Sequence, residues 1–201
     1  MKIQTLIPLL LLLFPASACE QQAATGTGEA STIDESGYEL TPIPGTHTKM
    51  AVKKDQNGRL VEEGLLRDGK KEGTWVTYHT TDEKQIAKSV QGFHNGLPNG
   101  VLIEYGNRGQ LEKIAHYLNG KLHGRYATYD YGRIKEIRHY KNGLLDGLYI
   151  KNYPKSDKIQ SEAEFKNGKQ DGFYRYYDEE GKVVMEYQYR NGEKVSGGMK
   201  Q

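Results

Sequence analysis

Two sets of side chains have types and spacing that could do chemistry. His116 and His139 stand at the same position of a repeated pattern, each directly before a tyrosine, and two imidazoles held close together can bind a metal ion. Glu164 and Gln188 take that position in later copies of the pattern. We therefore interpret the four residues as a mixed polar row on one face of a sheet, and we expect no metal site and no cofactor.

Carboxylate pairs are the second set, because two acids held near each other can act as general acid and general base. The pairs are Glu62-Glu63 and Glu179-Glu180. Adjacent residues of a strand point to opposite faces, and adjacent residues of a turn face solvent, so neither pair suits that task. The sequence also has no G-x-S-x-G, no H-E-x-x-H and no G-x-x-x-x-G-K-[ST] motif. We expect no catalytic residues, and we expect that the chain is not an enzyme.

The only cysteine of the chain, Cys19, stands at an informative position. It follows a positively charged Lys2, an apolar run over residues 3–14 that is too short to span a bilayer, and the small residues Ala16-Ser17-Ala18. Residues 1–18 are therefore predicted to be an export signal peptide. Ala16-Ser17-Ala18 fits an ordinary cleavage site that would release a soluble secreted product. With Cys19 included, the stretch instead resembles a bacterial lipoprotein lipobox, with alanine where leucine is usual.

The lipobox resemblance implies that Cys19 is acylated and attaches the mature chain to a membrane. Glu20 follows at the position where many lipoproteins of an inner membrane have aspartate. The expected localisation is therefore the cell envelope, with the outer membrane as the hypothesis for its site. No later stretch of the sequence is apolar enough to cross a bilayer, so the lipid is the expected membrane contact.

Composition divides the exported part of the chain in two. Residues 19–48 are mainly Gln, Ala, Thr, Gly, Ser and Glu with almost no apolar periodicity, which predicts a lipidated flexible linker. Residues 49–201 carry a repeated pattern and are predicted to form one repeat domain. Beyond the linker the chain has 27 basic and 21 acidic residues, a mild positive excess that is spread through turns and argues against nucleic acid as a partner.

Five copies of the pattern read as an aromatic residue or leucine, any residue, Asn or Asp, Gly, three residues and a second Gly, and a sixth, truncated copy contains only the first part. The turn glycines, about 24 residues apart, are Gly69, Gly96, Gly120, Gly143, Gly168 and Gly192. Asn-Gly or Asp-Gly between bulky residues favours a two-residue type I′ turn, in which both residues have positive φ. Every copy is therefore predicted to contain a β-hairpin corner.

Stacked hairpins of this kind predict an all-β fold, an elongated antiparallel β-meander of about six repeats. The chain has 15 tyrosines against one tryptophan and four phenylalanines, as suits a thin sheet in which rings are buried while hydroxyls reach water. Bulky residues at equal repeat positions should form one ladder across the strands. This predicted ladder consists of Trp75, Leu102, Tyr126, Tyr149 and Tyr174.

These residues resemble the MORN-repeat variant family, whose copies join an aromatic-x-Asn-Gly strand end to a Lys-x-x-Gly-x-aromatic segment. Residues 117–126 and 165–174 match this pattern most fully. Asp68, Leu97, Leu102 and Leu144 depart from it. The resemblance implies an elongated antiparallel sheet used for protein or membrane-surface contacts, and some bacterial members of the variant are antitoxins.

Together these observations favour a non-catalytic envelope lipoprotein that acts as a protein-interaction or scaffold module. The expected partner-binding residues are those of the ladder, because aromatic surfaces are common where proteins dock. The alternatives are an immunity or antitoxin protein that sequesters one toxin, a module whose rings contact a glycan, and a passive structural spacer. The membrane through Cys19 and a protein, with a toxin among the candidates, are the expected partners.

Overall fold

The computed structural model describes residues 30, 32–80 and 84–200. The predicted export signal at residues 1–18, the predicted acylation of Cys19 and the first part of the predicted linker lie outside the described residues. Within the described part, no helix is long and apolar enough to cross a membrane.

The described residues form a single open antiparallel sheet of fifteen strands in which nearly every strand pairs with its neighbours in sequence. This confirms the predicted all-β antiparallel meander. The strands are Glu39–Pro42 (β1), Thr48–Lys54 (β2), Leu60–Arg67 (β3), Lys70–Tyr78 (β4), Ala87–His94 (β5), Leu97–Tyr105 (β6), Leu111–Leu118 (β7), Lys121–Asp130 (β8), Arg133–Lys141 (β9), Leu144–Leu145 (β10), Gly147–Asn152 (β11), Ile159–Lys166 (β12), Lys169–Tyr177 (β13), Val183–Arg190 (β14) and Glu193–Met199 (β15). Both β10 and β11 pair with β9.

The sheet begins earlier than the sequence predicts. Strand β1 and one 3-10 turn, Glu35–Gly37, fall inside residues 19–48, so the prediction of a flexible linker over that whole range is wrong at its carboxyl end. This mainly polar stretch contains two bulky side chains, Tyr38 and Leu40, which pack on the buried core of the first strands. Burial of these two residues overrides the local composition that favours a linker.

The hairpin corners have the predicted type I′ conformation. In all six, φ of the Asn or Asp lies between 47° and 51° and φ of the turn glycine between 73° and 91°. The corners are also joined from one repeat to the next. The N–H of Gly96 donates to the carbonyl of Lys71 at 2.8 Å, and the N–H of Asn95 donates to the carboxylate of Glu72 at 2.8 Å. Asp146 and Asp171 accept in the same way from the next Asn N–H, so each repeat satisfies turn donors of its successor.

The second glycine of each repeat marks a β-bulge. It has a positive φ, from 65° at Gly73 to 120° at Gly172, and the strand register shifts beside it. Across the strand from it stands the aromatic residue that opens the next repeat, as Phe93 does for Gly73 and Tyr117 for Gly100. The positive φ of the bulge accounts for the glycine, because a Cβ atom added to Gly100 would meet nothing within 4 Å.

Candidate interaction surface

The five predicted ladder residues lie in one register row on one face of the sheet, which we call the ladder face. They stand on every second strand, and other residues of the row stand between them. In strand order the row is Ala51, Gly64, Trp75, Gln91, Leu102, Ala115, Tyr126, Arg138, Tyr149, Ala163, Tyr174 and Tyr187. The structure therefore aligns all five residues singled out by sequence, each two strands from the next.

The bulky ladder residues cover small residues on the strand before them. Ala115 and Ala163, the cross-strand partners of Tyr126 and Tyr174, are almost fully buried. A Cβ atom added to Gly64 would stand 2.4 Å from the indole ring of Trp75. The ladder rings thus shield the backbone of this single-layer sheet, and contact with a partner is not their only use.

The first part of the ladder face is covered by the chain itself. Residues 32–38, which we call the strap, lie over β2 to β4, where Ile33 and Tyr38 pack on Ala51, Leu66 and Trp75. The rings of Tyr38 and Trp75 meet edge to face, with centroids 6.1 Å apart. Only 1% of Trp75 remains exposed. Trp75 is therefore out of reach of a partner while the strap is in place, which corrects its assignment as a contact residue.

Three polar contacts hold the strap. The N–H of Ile33 donates to the carbonyl of Gly69 at 2.9 Å. Lys49 Nζ lies 2.8 Å from Glu35 Oε2, with both side chains partly exposed. The hydroxyl of Tyr38 donates to the carboxylate of Glu62.

Tyr38 supplies a ring that the ladder lacks at its start. Ala51 occupies the ladder row on β2, yet it is fully buried, because Tyr38 and Ile33 fill the space above it. The polar contact is also repeated further along the sheet. Tyr149, a ladder residue, donates from its hydroxyl to Glu136 at 3.2 Å, as Tyr38 does to Glu62. In the first repeat, Tyr38 of the strap therefore supplies the ring and the hydroxyl donor that Tyr149 supplies within its own repeat.

Further along, the ladder face carries rings and a cation, and no segment among the described residues covers it as the strap covers the first strands. The guanidinium carbon of Arg138 lies 5.6 Å from the ring centroid of Tyr126 and 5.7 Å from that of Tyr149. Glu136 forms an ion pair with Arg138 at 3.0 Å. Burial raises the pKa of Tyr126 despite the opposing effect of Lys113 and Arg138, so its phenol stays protonated at neutral pH. The arrangement offers aromatic area, a cation and hydroxyl donors in one place.

The residues that could have done chemistry have structural partners instead. His116 and His139 lie two strands apart, and Nδ1 of each hydrogen-bonds a backbone carbonyl, that of Arg125 at 2.7 Å and that of Leu148 at 2.8 Å. Because a carbonyl only accepts, each Nδ1 carries the proton. Within the described residues no three His, Cys, Asp or Glu side chains are grouped as a metal ion requires.

The carboxylate pair on β3 is split between the two faces. Glu62 accepts from Tyr38 and from Lys71 on the ladder face. Glu63 accepts from the hydroxyl of Tyr78 on the opposite face. This agrees with the expectation that adjacent residues of a strand cannot work as an acid–base pair.

An aliphatic row on the opposite face was missed by the sequence reasoning. It spans seven neighbouring strands, and its register partners are Val76, Val90, Ile103, Ile114, Ala127, Ile137 and Ile150. From β12 onward the row becomes charged, with Arg175 paired to Glu162 at 3.2 Å and to Glu186 at 2.7 Å. The sequence does contain a pattern that could have predicted this row, because each of its members is the sequence neighbour of a ladder-row residue.

The fold and this surface define the class of protein: an open antiparallel sheet of hairpin repeats with an aromatic ladder on one face. Comparison with known proteins does not narrow the class further. No family model matches the chain, and no curated protein is similar enough to count as a match.

Proposed function

We propose that this chain is a non-catalytic binding module whose ladder face, beyond the strap, holds a protein partner. One observation carries the proposal. The same ladder geometry is covered by polypeptide at its start, where the strap packs Tyr38 beside Trp75, and is left partly exposed at Tyr126, Tyr149 and Tyr174. A surface that accepts a peptide of its own chain in one repeat has the chemistry to accept polypeptide in others.

The composition of the uncovered part supports a protein as the partner. Tyrosine and arginine are enriched at the energetic centres of protein interfaces, and Arg138 stands between two tyrosines here. Tyrosine also loses little conformational entropy when it is ordered by a partner, because it has only two side-chain torsions.

The proposal includes the cellular location of the module and its attachment to a membrane. We infer that Cys19 is acylated, that the protein sits in the cell envelope and that the described sheet lies beyond a tether, on the sequence grounds given above. We also infer kinship with the MORN-repeat variant family. The type I′ corners and the bulged second glycines support that kinship, because they give a physical reason for both glycines of the pattern.

The experiment that tests the proposal is a quantitative pull-down from detergent-solubilised membranes of the native host, with Cys19 intact. The ladder variants are Tyr126→Ser and Tyr174→Ser. Matched controls are Tyr105→Ser and Tyr129→Ser, which change half-buried tyrosines on the opposite face. Circular dichroism checks that each variant is folded.

We expect one protein in stoichiometric amount with the native chain and with both controls, and at least a tenfold loss with the ladder variants, as removal of a hot-spot aromatic commonly causes. If the captured protein is a toxin, we would conclude that the module is an immunity protein. Recovery of background proteins alone, or equal recovery by ladder and control variants, would overturn the proposal.

A further inference from the structure

The hairpin that joins β8 to β9 has an unusual turn. Asp130 and Arg133 are register partners, so only Tyr131 and Gly132 form the connection. Their φ values are 49° and 78°, which is again a type I′ turn. The neighbouring connections on this edge of the sheet are longer, such as the one closed by Gly106 and Gln110 and the one closed by Tyr153 and Lys158.

Tyrosine is a poor choice for this backbone conformation. In the left-handed region the Cβ atom crowds the following carbonyl, and asparagine, aspartate and glycine tolerate this best. Of the eight non-glycine residues with positive φ in the described chain, six are Asn or Asp, and the exceptions are Tyr131 and Lys155. An asparagine at position 131 would make the same turn with less strain.

Packing does not explain the tyrosine either. Its relative exposure is 83%, the highest of any large hydrophobic residue that the structure describes, and its ring is not buried against the sheet. A strained residue that serves neither the turn nor the core is a candidate for function, because strain persists where another requirement outweighs it.

We propose that Tyr131 is an anchor that inserts its ring into an apolar pocket of a folded protein partner. The inference rests on the proposed function, because the partner meant is the one held by the ladder face. The same hairpin carries Tyr126 and Arg138 of that face, so a single partner on these two strands reaches both. A ring at the tip of a convex turn presents both of its sides, and burying both needs a concave site.

The surroundings of the ring favour a protein over a membrane. Arg133 and Asp157 form an ion pair at 3.2 Å beside the turn, with 52% and 73% of their side chains exposed. Entry into lipid would strip water from this pair and from Asp130, which is unfavourable. At a protein interface the same pair forms a polar rim around an aromatic centre.

The first test separates a structural role from a binding role. Tyr131→Asn in the full chain relieves strain, so we expect the melting temperature to rise by about 2–4 °C, the usual response of a protein of this size to a modest gain in stability. Capture of the partner in the membrane pull-down should fall at least tenfold. Lys155→Asn is the matched control, since it relieves the same kind of strain at φ 57° but removes no ring. It should raise the melting temperature and leave capture unchanged.

The second test identifies what the ring touches. The photoreactive residue benzoylphenylalanine replaces Tyr131, or Lys155 as control, in the full chain within host cells. We expect one protein adduct from position 131, with the same protein that the pull-down recovers, and none from position 155.

The outcomes against the inference are distinct from those against the proposed function. A lower melting temperature for Tyr131→Asn, an adduct with lipid, equal adducts at both positions or undiminished capture by Tyr131→Asn would overturn the anchor role. If Tyr131→Asn captures the partner normally while Tyr126→Ser loses capture, the ladder face is still supported as the binding surface. If the ladder variants also capture normally, the proposed function fails as well.

Discussion

The start of the ladder face and its later repeats share one geometry but differ in what covers them. Over β2 to β4 the strap buries Trp75 and fills the space above Ala51. Over β8 to β13 Tyr126, Tyr149 and Tyr174 lie half-buried, and the ring contacts of Tyr126 and Tyr149 come from neighbouring strands. At its start the repeated row therefore receives additional polypeptide without any change of register.

The comparison also separates two uses of an aromatic residue. Trp75 behaves as a core residue, with its indole N–H donating to the carbonyl of Leu65 at 2.9 Å and Lys71 Nζ lying 4.0 Å from the ring centroid. Tyr126 shields Ala115 and is itself only half-buried. Equal positions in the repeat therefore do not mean equal contributions to stability.

Among variants that compare the covered and uncovered parts of the ladder face, replacement of Trp75 should change the free energy of unfolding most. Trp75→Ala removes a fully buried indole and its hydrogen bond, so we expect the free energy of unfolding to fall by about 3–5 kcal/mol. Tyr174→Ala, at the same repeat position in the uncovered part, should cost clearly less. Urea denaturation followed by circular dichroism measures both. Equal losses would mean that the strap adds nothing to the burial of its repeat.

A smaller effect is expected from filling the space under the indole. Gly64→Ala places a Cβ atom 2.4 Å from the Trp75 ring, so the ring must move, at a cost of about 1–3 kcal/mol. Gly198→Ala is the control, because a Cβ atom there meets nothing within 4 Å and the backbone has no positive φ. Thermal unfolding compares the two variants. A Gly64→Ala protein as stable as the control would show that the first repeat is loosely packed.

Sequence alone predicts the repeated corners and the ladder, but it misses the aliphatic row and the features that occur once. Asn-Gly corners and the ladder follow from spacing, because each copy meets its neighbour in the same register. The strap could not be found in this way, since Tyr38 lies in a polar stretch and its partner Trp75 stands far along the chain. The turn at Tyr131 also occurs once, and the exposure of its ring depends on how short the connection is.

The smallest expected effect concerns the hydrogen bond from Tyr38 to Glu62, one of the three polar contacts that hold the strap, and it depends on pH. Burial alone would raise the pKa of Glu62, but the hydrogen bonds from Tyr38 and Lys71 outweigh burial and lower it. A carboxyl whose pKa is lowered by folding stabilises the folded state above its unfolded pKa, and this contribution is lost as the pH falls through the folded value. The contribution is therefore present at neutral pH and disappears in acid.

Tyr38→Phe removes one of the two donors to Glu62. We expect a loss of about 1 kcal/mol at pH 7, modest because the bond is only partly buried. The loss should shrink as the pH is lowered through and below about 4.5, the ordinary pKa of a glutamate, since a protonated Glu62 gains less from the phenol. Urea denaturation of both proteins from pH 3 to pH 7 measures the difference, with Tyr129→Phe on the opposite face as control. A loss that stayed constant over this range would show that Tyr38 holds the strap through its ring and not through its hydroxyl.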